Sequence, residues 1–198
     1  MKTKTKALAL ALCAVLLVVS TVFVTMAYLT SKTDVVTNTF TVGKVTITLD
    51  EANVDLMGVK DGDARVKANE YKLIPGHTYI KDPTIHVAGD SENCWLFVKV
   101  ENGLEDIIDA ETIGTQMSKN GWSLVDGETN IYAYSEIATA ETRDYKVFNN
   151  FKIKGEAAVD SYNNKNITIQ AYAIQADGFA TAADAWAAAP SNWQTPAN

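Results

Sequence analysis

From Lys44 onward the chain is built of short segments in which apolar side chains recur at every second position, a period that strands satisfy and helices do not. Lys44–Leu49 (KVTITL) sets Val45, Ile47 and Leu49 on one face and Lys44, Thr46 and Thr48 on the other, the pattern of a half-buried antiparallel strand. Tyr71–Ile74 is expected to run extended into the turn pair Pro75-Gly76. His77–Lys81 continues extended, Asp82-Pro83 turns, and Thr84–Ala88 forms a short strand. Cys94–Glu101 (CWLFVKVE) is apolar on both faces at first, as a central strand is. Asn130–Ser135, Asp144–Ile153 and Asn166–Ala176 complete the set.

Two segments read as helices. Leu104–Lys119 carries Leu104, Ile107, Ile108 and Met117 near one face and stops at Asn120-Gly121. Thr181–Ala189 opens with a capping-box-like Thr181 and Asp184, is rich in alanine, and ends at Pro190. Many strands with few helices between them give little support to a βαβ layout. The fold class expected is all-β: a jelly-roll-like antiparallel β-sandwich with one or two peripheral helices, preceded by an N-terminal signal helix.

That signal reading rests on the first 27 residues. Lys2, Lys4 and Lys6 are followed by the unbroken apolar run Ala7–Val19, then by polar dilution and a small-residue cleavage site ending at Ala27. The rival reading is an uncleaved anchor, since about 20 apolar residues span a bilayer. The dense apolar part is shorter than that, so a cleaved signal is preferred. In either case the bulk of the chain is expected outside the cytoplasm; on the preferred reading it meets the membrane only before cleavage.

The signal takes three lysines with it and no acids. Of 17 basic and 24 acidic residues, 14 and 24 remain, a net charge near −10. Such a charge opposes binding to nucleic acid or anionic membranes. Cys13 leaves with the signal, and Cys94 is then the single cysteine, so no intrachain disulfide is expected. Its apolar surroundings predict a buried thiol.

Motifs for chemistry are sparse. His77 and His86 could meet across a turn, with Asp82 or Asp90 as a third ligand, but no zinc signature accompanies them. Two unrelated strand or turn histidines are the preferred reading. Asp61-Gly62-Asp63 opens an acidic stretch without the full ligand set of a calcium loop, and a solvated hairpin tip is expected there. Trp122, Trp186 and Trp193 could build a sugar platform, although tryptophans in a domain of this size more often anchor a core. No catalytic, cofactor-binding or metal residue is assigned, and no enzyme activity or cofactor is expected.

The junction carries the most specific pattern. Ala27-Tyr28-Leu29-Thr30, then Asn38-Thr39-Phe40-Thr41-Val42-Gly43, then the strand Lys44–Leu49, resembles the start of SipW-type signal proteins of the TasA/camelysin-like family of Gram-positive bacteria. Leu73–Gly76, Lys81–Thr84, Trp95–Val100 and Ala171–Trp186 continue the resemblance. It implies cleavage between Ala27 and Tyr28 by an alternative type I signal peptidase, a transient partner, and a jelly-roll-like sandwich. It also implies assembly of the secreted protein with itself into biofilm or cell-surface fibres. The division that follows is signal peptide 1–27, N-terminal extension 28–40 and sandwich 41–198. The extension would add a strand to a neighbour, with Tyr28, Leu29, Val35, Val36 and Phe40 as candidate anchors. A secreted module binding cell-wall glycan is the alternative. A camelysin-type metallopeptidase ranks third, because the zinc motif is missing.

Overall fold

A computed structural model describes residues 3–7, 10–17, 43–109 and 111–193. The chain divides into two units, Met1–Thr41 and Val42–Asn198. In the first, residues 3–7 and 10–17 are helical, and Leu10, Leu12, Val15, Leu16 and Leu17 are exposed. No described helix is long and apolar enough to cross a membrane.

The second unit is strand-rich, with antiparallel sheets and few helices: a β-sandwich with peripheral helices. One sheet is built from β1 (Ile47–Val54), β2 (Lys60–Val66), β4 (Thr84–Val87) and β8 (Asp144–Lys146), in the order β2-β1-β4-β8. The other contains β5 (Cys94–Asn102), β6 (Trp122–Leu124), β7 (Ile131–Tyr134) and β10 (Ile167–Gln175), in the order β10-β5-β7-β6. A ribbon of β3 (Thr78–Ile80) and β9 (Asn150–Lys152) accompanies them, with Tyr79 stacked on Phe151 at 5.0 Å.

The main core holds Tyr79, Ile85, Leu96, Val98, Trp122, Phe148 and Phe151, all essentially solvent-free. A second cluster covers the other face of the β10–β5 sheet. There Trp95, Phe97 and Tyr172 pack against helix α2 (Ala182–Ala187) through Trp186. With a cluster on each face, β5 is buried almost throughout, as its two-sided apolar pattern requires.

Several expected elements are reshaped. Asp144–Ile153 is two strands in different sheets, because Val147 and Phe148 are consecutive and both fully buried, which breaks the period of two. Leu104–Lys119 is a 3-10 turn at Glu105–Ile107, an extended Ile108 bridged to Ile153, and a helix α1 at Ile113–Lys119. Thr112 starts α1 by accepting from Thr115 N–H, and Gly121 follows it at φ +86°, where a Cβ would press on Tyr134. Tyr71–Ile74 joins no ladder; Ile74 N–H instead donates to the Tyr79 hydroxyl at 2.7 Å.

Asp61-Gly62-Asp63 is not a hairpin tip. It lies within β2, an exposed edge strand held by the pairing of Glu51 with Val66 and of Val54 with Lys60. Tertiary pairing outweighs the weak strand propensity of KDGDARV, and the charges keep this edge soluble. Helix α2 begins as the sequence predicts. Thr181 accepts from Asp184 N–H at 3.1 Å, and its hydroxyl donates to the Asp184 carboxylate at 2.7 Å.

Candidate functional site

Among the described residues the sandwich has an open seam. Strand β1 pairs with β4 through Ile47–Asp50 and with β2 only from Glu51 onward. Ala88 N–H donates to Thr46 O, and Val87 N–H to Arg143 O. Antiparallel alternation therefore turns the backbone of Thr48 and Asp50 toward β4 and that of Ile47 and Leu49 away from it. On the other sheet, β10 is an edge strand. Ala176 N–H donates to Asn93 O, and Gly103 N–H to Asn166 O. The same alternation points the backbone groups of Ile167, Ile169, Ala171 and Ala173 outward. Among the described residues no strand pairs with either edge.

The two edges face each other. One end of the gap gathers Leu49–Glu51 and Asn166–Ile169 around a groove of about 410 Å³, and the other gathers Gly43, Gln175 and Asp177. β1 and β10 thus run antiparallel across it, so a strand laid between them would be antiparallel to one and parallel to the other. Val45, Ile47, Leu49, Ile167, Ile169, Ala171 and Ala173 pack on the main core yet stay half-buried along the seam. Covering them would add apolar burial at about 25 cal/mol per Å². A second groove of about 700 Å³, floored by Tyr71, Leu73, Leu104 and Phe151, shares Asn69, Lys81, Asn166 and Ile167 with the first.

A polar cluster sits where the grooves join. Lys81 and Glu51 are 8 % and 5 % exposed, with Nζ 2.6 Å from Oε2. The other Glu51 oxygen accepts from Asn69 Nδ2 at 2.9 Å. Asn69 Nδ2 also donates to Ala52 O at 2.9 Å, while its Oδ1 accepts from Val54 N–H at 3.0 Å. Lys81 Nζ lies 5.9 Å from the centre of the Tyr71 ring. Sequence inspection missed this cluster. One signal was present: the alternation 45, 47, 49 continues inward to 51, which places a carboxylate at a buried position.

A different network covers the outer face of the same sheet. His86 Nδ1 lies 2.7 Å from Asp144 Oδ1, and Nε2 lies 2.9 Å from Asp50 Oδ1. Arg65 bonds Asp50 and also donates to Asp82 Oδ2 at 3.3 Å. Burial pulls the His86 pKa down, but the bonds and charges of Asp50 and Asp144 outweigh it and hold the ring above the ordinary histidine value. Asp50 feels burial upward and, more strongly in sum, Arg65 and His86 downward, so it titrates below the ordinary range.

His77 has separate partners: Nε2 lies 2.8 Å from Met57 O, and the ring packs edge-on to Tyr79 at 4.6 Å. Among the described residues no group of three His, Cys, Asp or Glu side chains is placed to hold a metal ion. Cys94 is solvent-free and burial pushes its thiol up to about 11, so it is unreactive. Trp122 is fully buried, donates to Lys146 O at 2.9 Å, and offers no face to a sugar. Trp186 donates to Glu128 at 3.1 Å, and Trp193 stacks on Tyr172 at 4.7 Å. The cleavage site at Ala27 and Tyr28, and the candidate anchors Tyr28, Leu29, Val35, Val36 and Phe40, lie outside the described residues. Comparison with protein-family models, curated proteins and solved structures returned no match.

Proposed function

We propose that this is a secreted structural protein, a subunit of biofilm-matrix or cell-surface fibres that assembles through its processed N-terminal segment. One observation carries the reading: among the described residues the outward backbone of β1 at Ile47 and Leu49 and of β10 has no strand partner, half-buried apolar side chains lie along both, and a groove opens between them at the Leu49–Glu51 end. Unpaired edges are templates for strand addition, and monomers ordinarily blunt them, as the charged β2 edge is blunted here. The occupant is Tyr28–Phe40 of a second copy. Extended, its 13 residues reach about 43 Å, more than the roughly 30 Å of nine-residue β10. Tyr28, Leu29, Val35, Val36 and Phe40 supply the apolar contacts. The resemblance at Ala27–Leu49 independently points to export and to a new N-terminus at Tyr28.

Electron microscopy and sedimentation of protein beginning at Tyr28, beside protein beginning at Thr41, test this. Fibres from the first and monomers from the second are expected. Addition of a 28–40 peptide to the shorter form should raise its melting temperature. Monomers from both across pH and salt would refute the reading.

A further inference from the structure

Glu51, Asn69 and Lys81 are more than a buried ion pair with a neighbour. We propose that Lys81 Nζ and Asn69 Cγ join in an intramolecular isopeptide bond, promoted by Glu51 and formed with loss of ammonia. The inference stands apart from fibre assembly and rests on the cluster alone.

The two reacting side chains sit on the two oxygens of one carboxylate, Lys81 at 2.6 Å and Asn69 at 2.9 Å. Lys81 and Glu51 are almost solvent-free, and charges in such a setting cost several kcal/mol each. Transfer of one proton from Nζ to Oε2 replaces the ion pair by a neutral amine and a carboxylic acid. The amine is the nucleophile. The Asn69 amide is held in one orientation, with Nδ2 toward Glu51 and Ala52 O and Oδ1 toward Val54 N–H. When the amine adds to Cγ, negative charge grows on Oδ1, where the Val54 N–H already donates. Glu51 then returns its proton to Nδ2, the Cγ–Nδ2 bond breaks, and the newly bonded Nζ gives up its second proton to the departing ammonia.

The balance closes without an oxidant or co-reactant. Of the three ammonium protons, one remains on the new amide and two leave with the Asn69 nitrogen as ammonium. Glu51 ends as the carboxylate it began as. Asn69 and Lys81 both line the grooves, which gives the ammonia a route to solvent. The bond would close the loop from Asn69 to Lys81 around β3, and so fasten the β1–β3 region beside the seam.

Intact-mass spectrometry of the full, denatured chain tests this, with peptide mapping. The expected result is a mass about 17 Da below that of the sequence, one ammonia, with a branched peptide joining Lys81 to Asn69. Glu51→Gln, Lys81→Arg and Asn69→Ala should each restore the full mass. A wild-type chain that keeps its full sequence mass after prolonged incubation at neutral pH, with both residues in unlinked peptides, overturns the proposal. So does a mass loss that persists in Asn69→Ala, which would place the ammonia loss elsewhere.

Discussion

Asp50 and Glu51 are neighbours on β1, yet they belong to opposite environments. Asp50 points to the outer face, where it shares His86 and Arg65 with Asp144 and Asp82 in partial contact with water. Glu51 points inward and meets Lys81 and Asn69 with almost no water at all. The chemistry of the two carboxylates is nearly the same. What differs is the cost of removing a partner: water replaces a lost contact on the outer face, whereas nothing replaces it inside.

The largest effect should therefore come from Glu51→Ala, which strands a buried ammonium and is expected to cost about 3–5 kcal/mol in denaturant unfolding. Asp50→Ala should cost only about 0.2–1 kcal/mol in the same measurement. Equal losses would break the contrast. The double variant Glu51→Leu with Lys81→Met sharpens it. A plain buried ion pair predicts a neutral or stabilising change of up to about 4 kcal/mol. A covalent link around the Asn69–Lys81 loop predicts a loss of about 3 kcal/mol instead.

The smallest effect is one of pH. The folded pKa of His86 is raised, so its stabilisation is fully present below the ordinary histidine value near 6.5 and is lost as pH rises through the folded value. Asp50 has the opposite sign: its stabilisation is present above the ordinary carboxylate value and is lost as pH falls through its lowered folded value. Thermal melts from pH 5 to 9 should show a shallow decline above neutrality in the wild type. His86→Gln should flatten that decline, by about 0.2–1 kcal/mol, comparable to an exposed ion pair. An unchanged slope would remove His86 from this account.

Much of the architecture was legible in residues taken a few at a time. The alternation in KVTITL marks the start of β1, which begins at Ile47 and runs on to Val54 rather than spanning Lys44–Leu49; the two-sided apolar run marks β5 as internal, and Thr181 with Asp184 marks the start of α2. The errors share one cause. β2 is a strand because β1 offers its backbone, not because KDGDARV favours one. Asp144–Ile153 splits because Val147 and Phe148 both find core positions.

The open seam was legible only in part. The N-terminal pattern raised strand addition as an expectation, but which backbone groups are left without a strand partner among the described residues depends on the register of β1 against β4 and of β10 against β5. Period and composition determine which face of a strand is apolar, and so they determined a strand-rich sandwich with a polar, acidic exterior. They carry no information on which strands become neighbours. Glu51, Asn69 and Lys81 come from three separate segments, and only tertiary pairing brings them onto one carboxylate.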